Sequence, residues 1–136
     1  MTVKFKAMRN EGDVKENIKR LLKAHDWFYW MPPANAFGRS GISDIHAVSR
    51  GMFMIIEAKF GDNPPTGLQI GFLNSVQQEQ HFAFVVSDSS LPFFAQFLEM
   101  LDQSIVAQSK QLDVPQDVGS AMVNAIKVLT DPIPLT

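Results

Sequence analysis

The order of patterned segments predicts an α/β fold, a mixed sheet flanked by helices in the order α-β-β-β-α-β-α, with one extra helix at the C-terminus. Three observations carry that reading. Val14, Ile18, Leu21 and Leu22 recur at the spacing of one helical stripe. Met52–Ile56 is an apolar run without a polar break, as in a buried strand. A helix-patterned segment, Leu68–Gln80, separates that run from a second one at His81–Val86. A helical crossover of this kind joins parallel neighbours, and strands mixed with covering helices give a layered α/β architecture.

Taken in order, the first helix is expected from Gly12/Asp13 to His25, with Lys15, Lys19, Arg20 and Lys23 largely outside its apolar stripe. Asp26 turns the chain into a short aromatic strand, Trp27–Trp30, which Pro32 and Pro33 stop. Asn35–Ser43, with two glycines and Arg39, reads as a loop. Asp44–Ser49 and Met52–Lys59 read as strands joined by a tight Arg50-Gly51 turn. Gly61–Gly67 (GDNPPTG) is a loop leading into the crossover helix, whose Ile70, Phe72, Leu73 and Val76 are expected to face inward. After the strand at His81–Val86 comes an amphipathic helix, Pro92–Ser104, carrying Phe93, Phe94, Phe97, Leu98 and Leu101. A final helix is expected near Gln116–Leu129, with Met122, Ala125, Ile126 and Leu129 on one stripe. That stripe suits either a partner chain or the helix's own domain.

The chain has 136 residues, 46% hydrophobic and 19% charged, a balance that fits one folded domain over 1–136 rather than a disordered chain. We place the core at about 11–104 and read about 105–136 as a C-terminal helical extension. No apolar run approaches the roughly 20 residues of a membrane span. The N-terminal MTVKFKAMRN has no apolar core of a signal peptide. With no cysteine there is neither disulfide nor thiolate metal site, and a reducing cytoplasm suits the chain. The net charge of −2 conceals an asymmetry: residues 1–60 hold ten Lys/Arg against six Asp/Glu, and residues 61–136 hold two against eight. A basic first half is consistent with an anionic partner, and equally with a solvated helix face.

The hairpin is where the pattern becomes chemical. With a two-residue Arg50-Gly51 turn, Ser49 pairs with Met52 and Asp44 falls opposite Glu57. Directly opposed side chains share a sheet face with Cβ atoms about 5 Å apart. Lys59, two residues beyond Glu57, shares the face too. Opposed carboxylates repel, so something must offset them. A hard divalent cation such as Mg²⁺ would, since it takes oxygen ligands; a structural salt bridge to Lys59 would serve as well. A three-residue turn would shift the register and separate the acids. Glu11, three residues before Val14, extends the first helix's apolar stripe toward the sheet, or acts only as a first-turn acid favoured by the helix dipole. Gln69, opening the crossover helix, is either a cap or a side chain aimed at the same pocket. His46 lies on the Asp44 face by parity, and an ordinary strand histidine is the simpler account of it.

An acid before the first helix, then GISD (Gly41–Asp44), EAK (Glu57–Lys59) and Gln69, arrive in an order that resembles the PD-(D/E)XK nuclease superfamily. Within it the chain resembles the virus-type replication-repair nuclease (VRR-NUC) family, whose pattern is E…GxPD…(E/D)xK…Q. The likeness covers roughly residues 11–90, and Ser43 stands where the family usually has proline. The resemblance implies a restriction-endonuclease-like core and a Mg²⁺- or Mn²⁺-dependent endonuclease that hydrolyses DNA phosphodiesters. It implies metal ligands at Asp44 and Glu57, helped by the Ala58 backbone carbonyl, with Glu11 contacting the metal directly or through water. It implies that Lys59 orients the attacking water or stabilises phosphate charge, and that Gln69 supports the site. Members of this minimal size resemble homodimers acting on branched DNA, such as Holliday junctions or flaps, in phage or bacterial replication, recombination and repair. Phosphate contacts would come from the basic first half, with Arg39 the first candidate and Lys4, Lys6, Arg9 and Arg50 the others. The competing expectation is a non-cleaving nucleic-acid-binding module on the same fold.

Overall fold

The structure, a computed structural model, describes residues 3–33 and 44–111, and the side chains of all of these but 106–111. Arg39, Gly41–Ser43 of the GISD stretch and the helix expected at Gln116–Leu129 lie outside the described residues. The chain divides into two units, residues 1–101 and 102–136, and the architecture below is that of the first.

Its elements follow the expected order: α1 (Glu11–Ala24), β1 (Phe28–Trp30), β2 (Ile45–Ser49), β3 (Met52–Lys59), α2 (Gly67–Gln78), β4 (Phe82–Ser87) and α3 (Leu91–Gln111). The four strands form one mixed α/β sheet in the order β1-β2-β3-β4. β1, β2 and β3 are antiparallel neighbours, and β4 runs parallel to β3, as the α2 crossover requires. Among the described residues there are three helices, and none is long and apolar enough to cross a membrane.

The sheet is covered on both faces. Val14, Ile18, Leu21 and Leu22 of α1 pack with Ile45, Ala47, Met54, Ile56, Ala58 and Val86 of the sheet and with Leu91, Phe94 and Leu98 of α3. On the other face Ile55 and Ala83 meet Leu73 of α2, with Phe53, Phe72 and Val76 around them. A strand buried on both faces has no use for alternation, which explains the unbroken Met52–Ile56 run.

Local signals account for the ends of the elements. Asn10 caps α1 by accepting from the Asp13 N–H at 2.9 Å. Thr66 caps α2 in a reciprocal capping box with Gln69. Both helices close on a left-handed residue, Asp26 (φ 62°) and Gln80 (φ 63°). In each the next N–H reaches back five residues, Trp27 to the Leu22 carbonyl at 2.9 Å and His81 to the Val76 carbonyl at 3.3 Å. The β2–β3 turn has positive φ at both central residues, 51° at Arg50 and 80° at Gly51, the tight geometry that suits a twisted hairpin.

Several expectations need correction. Ile70 is 44% exposed and Phe93 71% exposed, so neither faces the core. In α2 the inward stripe narrows to Phe72, Leu73 and Val76, which pack around Ile55 and Ala83, with Phe72 reaching the His46 ring of β2. In α3 the stripe starts at Leu91 and steps three residues to Phe94 and four more to Leu98, leaving Phe93 outside it. α3 also begins one residue earlier and ends seven later than its apolar pattern indicated, and its last turn, 108–111 (QSKQ), carries no apolar residue to mark the end.

Candidate metal centre

The hairpin register is the one the two-residue turn dictates: Ser49 pairs with Met52, and the ladder continues to Ile45 opposite Ile56. One step further, Asp44 comes opposite Glu57. The ladder stops there, and Asp44 turns its Oδ2 onto the N–H of Ala58 at 2.9 Å. This bond fixes the Asp44 carboxylate over the end of β3. The contact that brings Ala58 into the site is thus its N–H, on an acid of the site.

Glu57 is a member of β3 paired with Val85 of β4, and only 1% of it is exposed. Gln69 of α2 donates through Nε2 to Glu57 Oε1 at 2.6 Å. The same Gln69 side chain accepts from the Thr66 N–H at 2.8 Å. Gln69 therefore fills both of its expected roles at once, its carbonyl oxygen capping the helix and its amide nitrogen supporting the acid. Lys59, 7% exposed, lies with its Nζ 3.9 Å from Glu57 Oε1. That separation exceeds hydrogen-bond reach, so the pair is an electrostatic neighbourhood and not a closed salt bridge.

Glu11 completes the group from the first turn of α1. Carboxylate oxygens of Glu11, Asp44 and Glu57 all lie within 4.8 Å of one another. Burial, with the Asp44 charge second, pushes the Glu57 carboxyl up to about 8, and Lys59 opposes the rise. Glu57 Oε2 is buried and has no hydrogen-bond partner. A buried, unpartnered carboxylate oxygen on a residue grouped with two further acids is unstable as an anion unless a proton or a cation completes it. Three hard oxygen donors suit Mg²⁺ or Mn²⁺, so the residues fit the ion that the sequence reading called for.

One member of the site escaped the sequence reading. Lys15, read only as lying outside the apolar stripe of α1, places its Nζ 3.1 Å from Asp44 Oδ1 and 4.0 Å from Glu11 Oε1. The available signal was its position four residues after Glu11, one helical turn along the same face.

The other candidates divide. Lys6 sits 2.9 Å from Asp13, and its backbone exchanges two 2.8 Å hydrogen bonds with the buried Asn17 side chain. Arg9 donates its N–H to Asp13 Oδ2 at 3.0 Å and holds its guanidinium 3.9 Å from the same oxygen. The Lys4 carbonyl accepts from Arg20 at 3.1 Å. These contacts tie the N-terminal arm to α1. Arg50 is at the hairpin turn, about 20 Å of strand away from Glu57. His46 is the strand histidine expected, its ring 5.9 Å from Phe72 in a stack and edge-on to Trp30 and Phe53. Its burial lowers its pKa.

No family model and no curated protein matches the chain.

Proposed function

We propose that this chain is a Mg²⁺- or Mn²⁺-dependent DNA endonuclease with a restriction-endonuclease-like core of the VRR-NUC type, acting on branched DNA. The observation that carries the reading is the convergence of Glu11, Asp44 and Glu57 within 4.8 Å, with Lys59 beside them on the strand that presents Glu57. An acid triad alone is common on protein surfaces. A triad with one carboxylate buried in the sheet and lacking a partner for one oxygen is not.

Asp44 and Glu57 would hold the cation, with Glu11 at its edge. A divalent cation there supplies Lewis-acid polarisation of the phosphoryl group and lowers the pKa of an attacking water. Gln69 keeps the Glu57 side chain in one rotamer by its 2.6 Å bond, so the acid is placed before any substrate arrives. Lys59, carried on the same rigid strand and held outside hydrogen-bond range of Glu57, keeps its N–H groups available for charge developing on the phosphate. The fold around the site supports the assignment: the acids and the lysine sit at the C-terminal end of β3, where ligands gather in open α/β sheets.

The test is a cleavage panel of Holliday junction, flap, splayed arm and plain duplex, with Mg²⁺ or Mn²⁺. Cutting of a branched substrate, lost in Glu57→Ala with the fold retained, is the expected result. Undiminished cutting in EDTA or by Glu57→Ala would overturn the reading.

A further inference from the structure

Resting on the metal reading of this site, we propose that Lys15 is its resident counter-ion, holding Asp44 in the metal-free protein and giving way when a divalent cation enters. Asp44 has two oxygens with different partners. Oδ2 is committed to the Ala58 N–H, and Oδ1 faces the Lys15 ammonium at 3.1 Å. The same ammonium is 4.0 Å from Glu11, so it lies between two of the three acids that would ligate the ion. A divalent cation and an ammonium compete for Oδ1, because two positive charges within a few ångströms of each other repel. Lys15 is the one free to give way. Its side chain is 29% exposed, against 9% for Lys59, and its flexible four-carbon stem rises from a helix rather than a sheet. The two lysines therefore serve the site differently: Lys59 is fixed by β3, and Lys15 neutralises the cluster until the metal does.

Calorimetric titration with MnCl₂ in the absence of DNA tests this on Lys15→Met, Lys15→Arg, Lys19→Met and Asp44→Asn. Lys19 is the control for a general field effect, since it is on the same helix but pairs with Glu16 at 3.0 Å. Lys15→Met should bind Mn²⁺ about fivefold tighter than the parent, in keeping with a partly exposed ion pair. Lys15→Arg and Lys19→Met should stay within about twofold on the same scale. Equal affinity in Lys15→Met and the parent, weaker binding, or equal tightening in Lys19→Met would overturn the counter-ion role alone, provided Asp44→Asn abolishes the parent's binding heat. A parent that shows no Asp44-dependent heat would overturn the metal reading, and the counter-ion role with it.

Discussion

Glu57 concentrates the conflict in this molecule: a carboxyl group in the middle of a sheet, opposite another acid, with one oxygen on Gln69 and the other without a partner. Its pKa, raised by burial to about 8, makes it a stability term with a definite sign. The unfolded chain releases this proton near the ordinary glutamate value, and the folded chain holds it until about pH 8. The stabilising contribution is therefore complete below the ordinary value and is lost as pH rises through about 8. In EDTA, the melting temperature of the parent should fall between pH 5 and pH 9, and Glu57→Gln, which has no proton to lose, should show a flatter profile. Matching profiles in the two proteins would rule this out. Gln69→Ala removes the donor to a buried oxygen and half of a capping box together. Urea unfolding at pH 7 should show a loss of about 2 kcal/mol, against about 1 kcal/mol for Thr66→Ala, which disturbs the cap alone. Equal losses would mean the bond to Glu57 contributes nothing.

At the scale of elements, the hairpin shows how much of the site was legible. Arg50-Gly51 reads as a two-residue turn, and that turn alone dictates Asp44 opposite Glu57 and Lys59 on the same face. The ladder from Ser49–Met52 to Ile45–Ile56 has that register. Gly51→Ala forces a side chain into φ 80° and should cost about 1 kcal/mol in chemical denaturation, with metal binding weakened as the register loosens. An unchanged midpoint would mean the turn does not hold the hairpin. The ends of α1 and α2 were read to within two residues, at His25 and Gln80, although both helices close on non-glycine residues, Asp26 and Gln80, in the left-handed conformation that sequence signals assign to glycine. Gln80→Gly should accordingly stabilise the protein by about 1 kcal/mol, visible as a melting temperature several degrees higher. Lys15 went unread: helical periodicity places a residue on a face, but the reach of a four-carbon side chain past the helix end depends on where the hairpin stops. Ile70 and Phe93 were misread because a periodic stripe shows that a face is buried without showing how wide it is.

For the molecule as a whole, proton, lysine and divalent cation are alternative answers to one problem, the negative charge gathered where α1, the hairpin and α2 meet. Lys15 and Lys59 supply positive charge from the helix and the sheet, and the Glu57 proton removes one negative charge below about pH 8. A bound cation must displace that proton, so metal binding and folding stability are linked through pH. Any ion that binds only the folded state raises stability by RT ln(1 + [L]/Kd), about 2.7 kcal/mol at a hundredfold excess over Kd. The upward shift in melting temperature produced by saturating MnCl₂ should therefore be larger at pH 8, where proton competition for Glu57 is weak, than at pH 5.5, where it is strong. Glu57→Gln should lose most of the shift at both pH values, and Lys15→Met should reach the parent's shift at lower Mn²⁺. A pH-independent shift, or one that persists undiminished in Glu57→Gln, would locate the bound ion elsewhere and detach the buried acid from metal binding altogether.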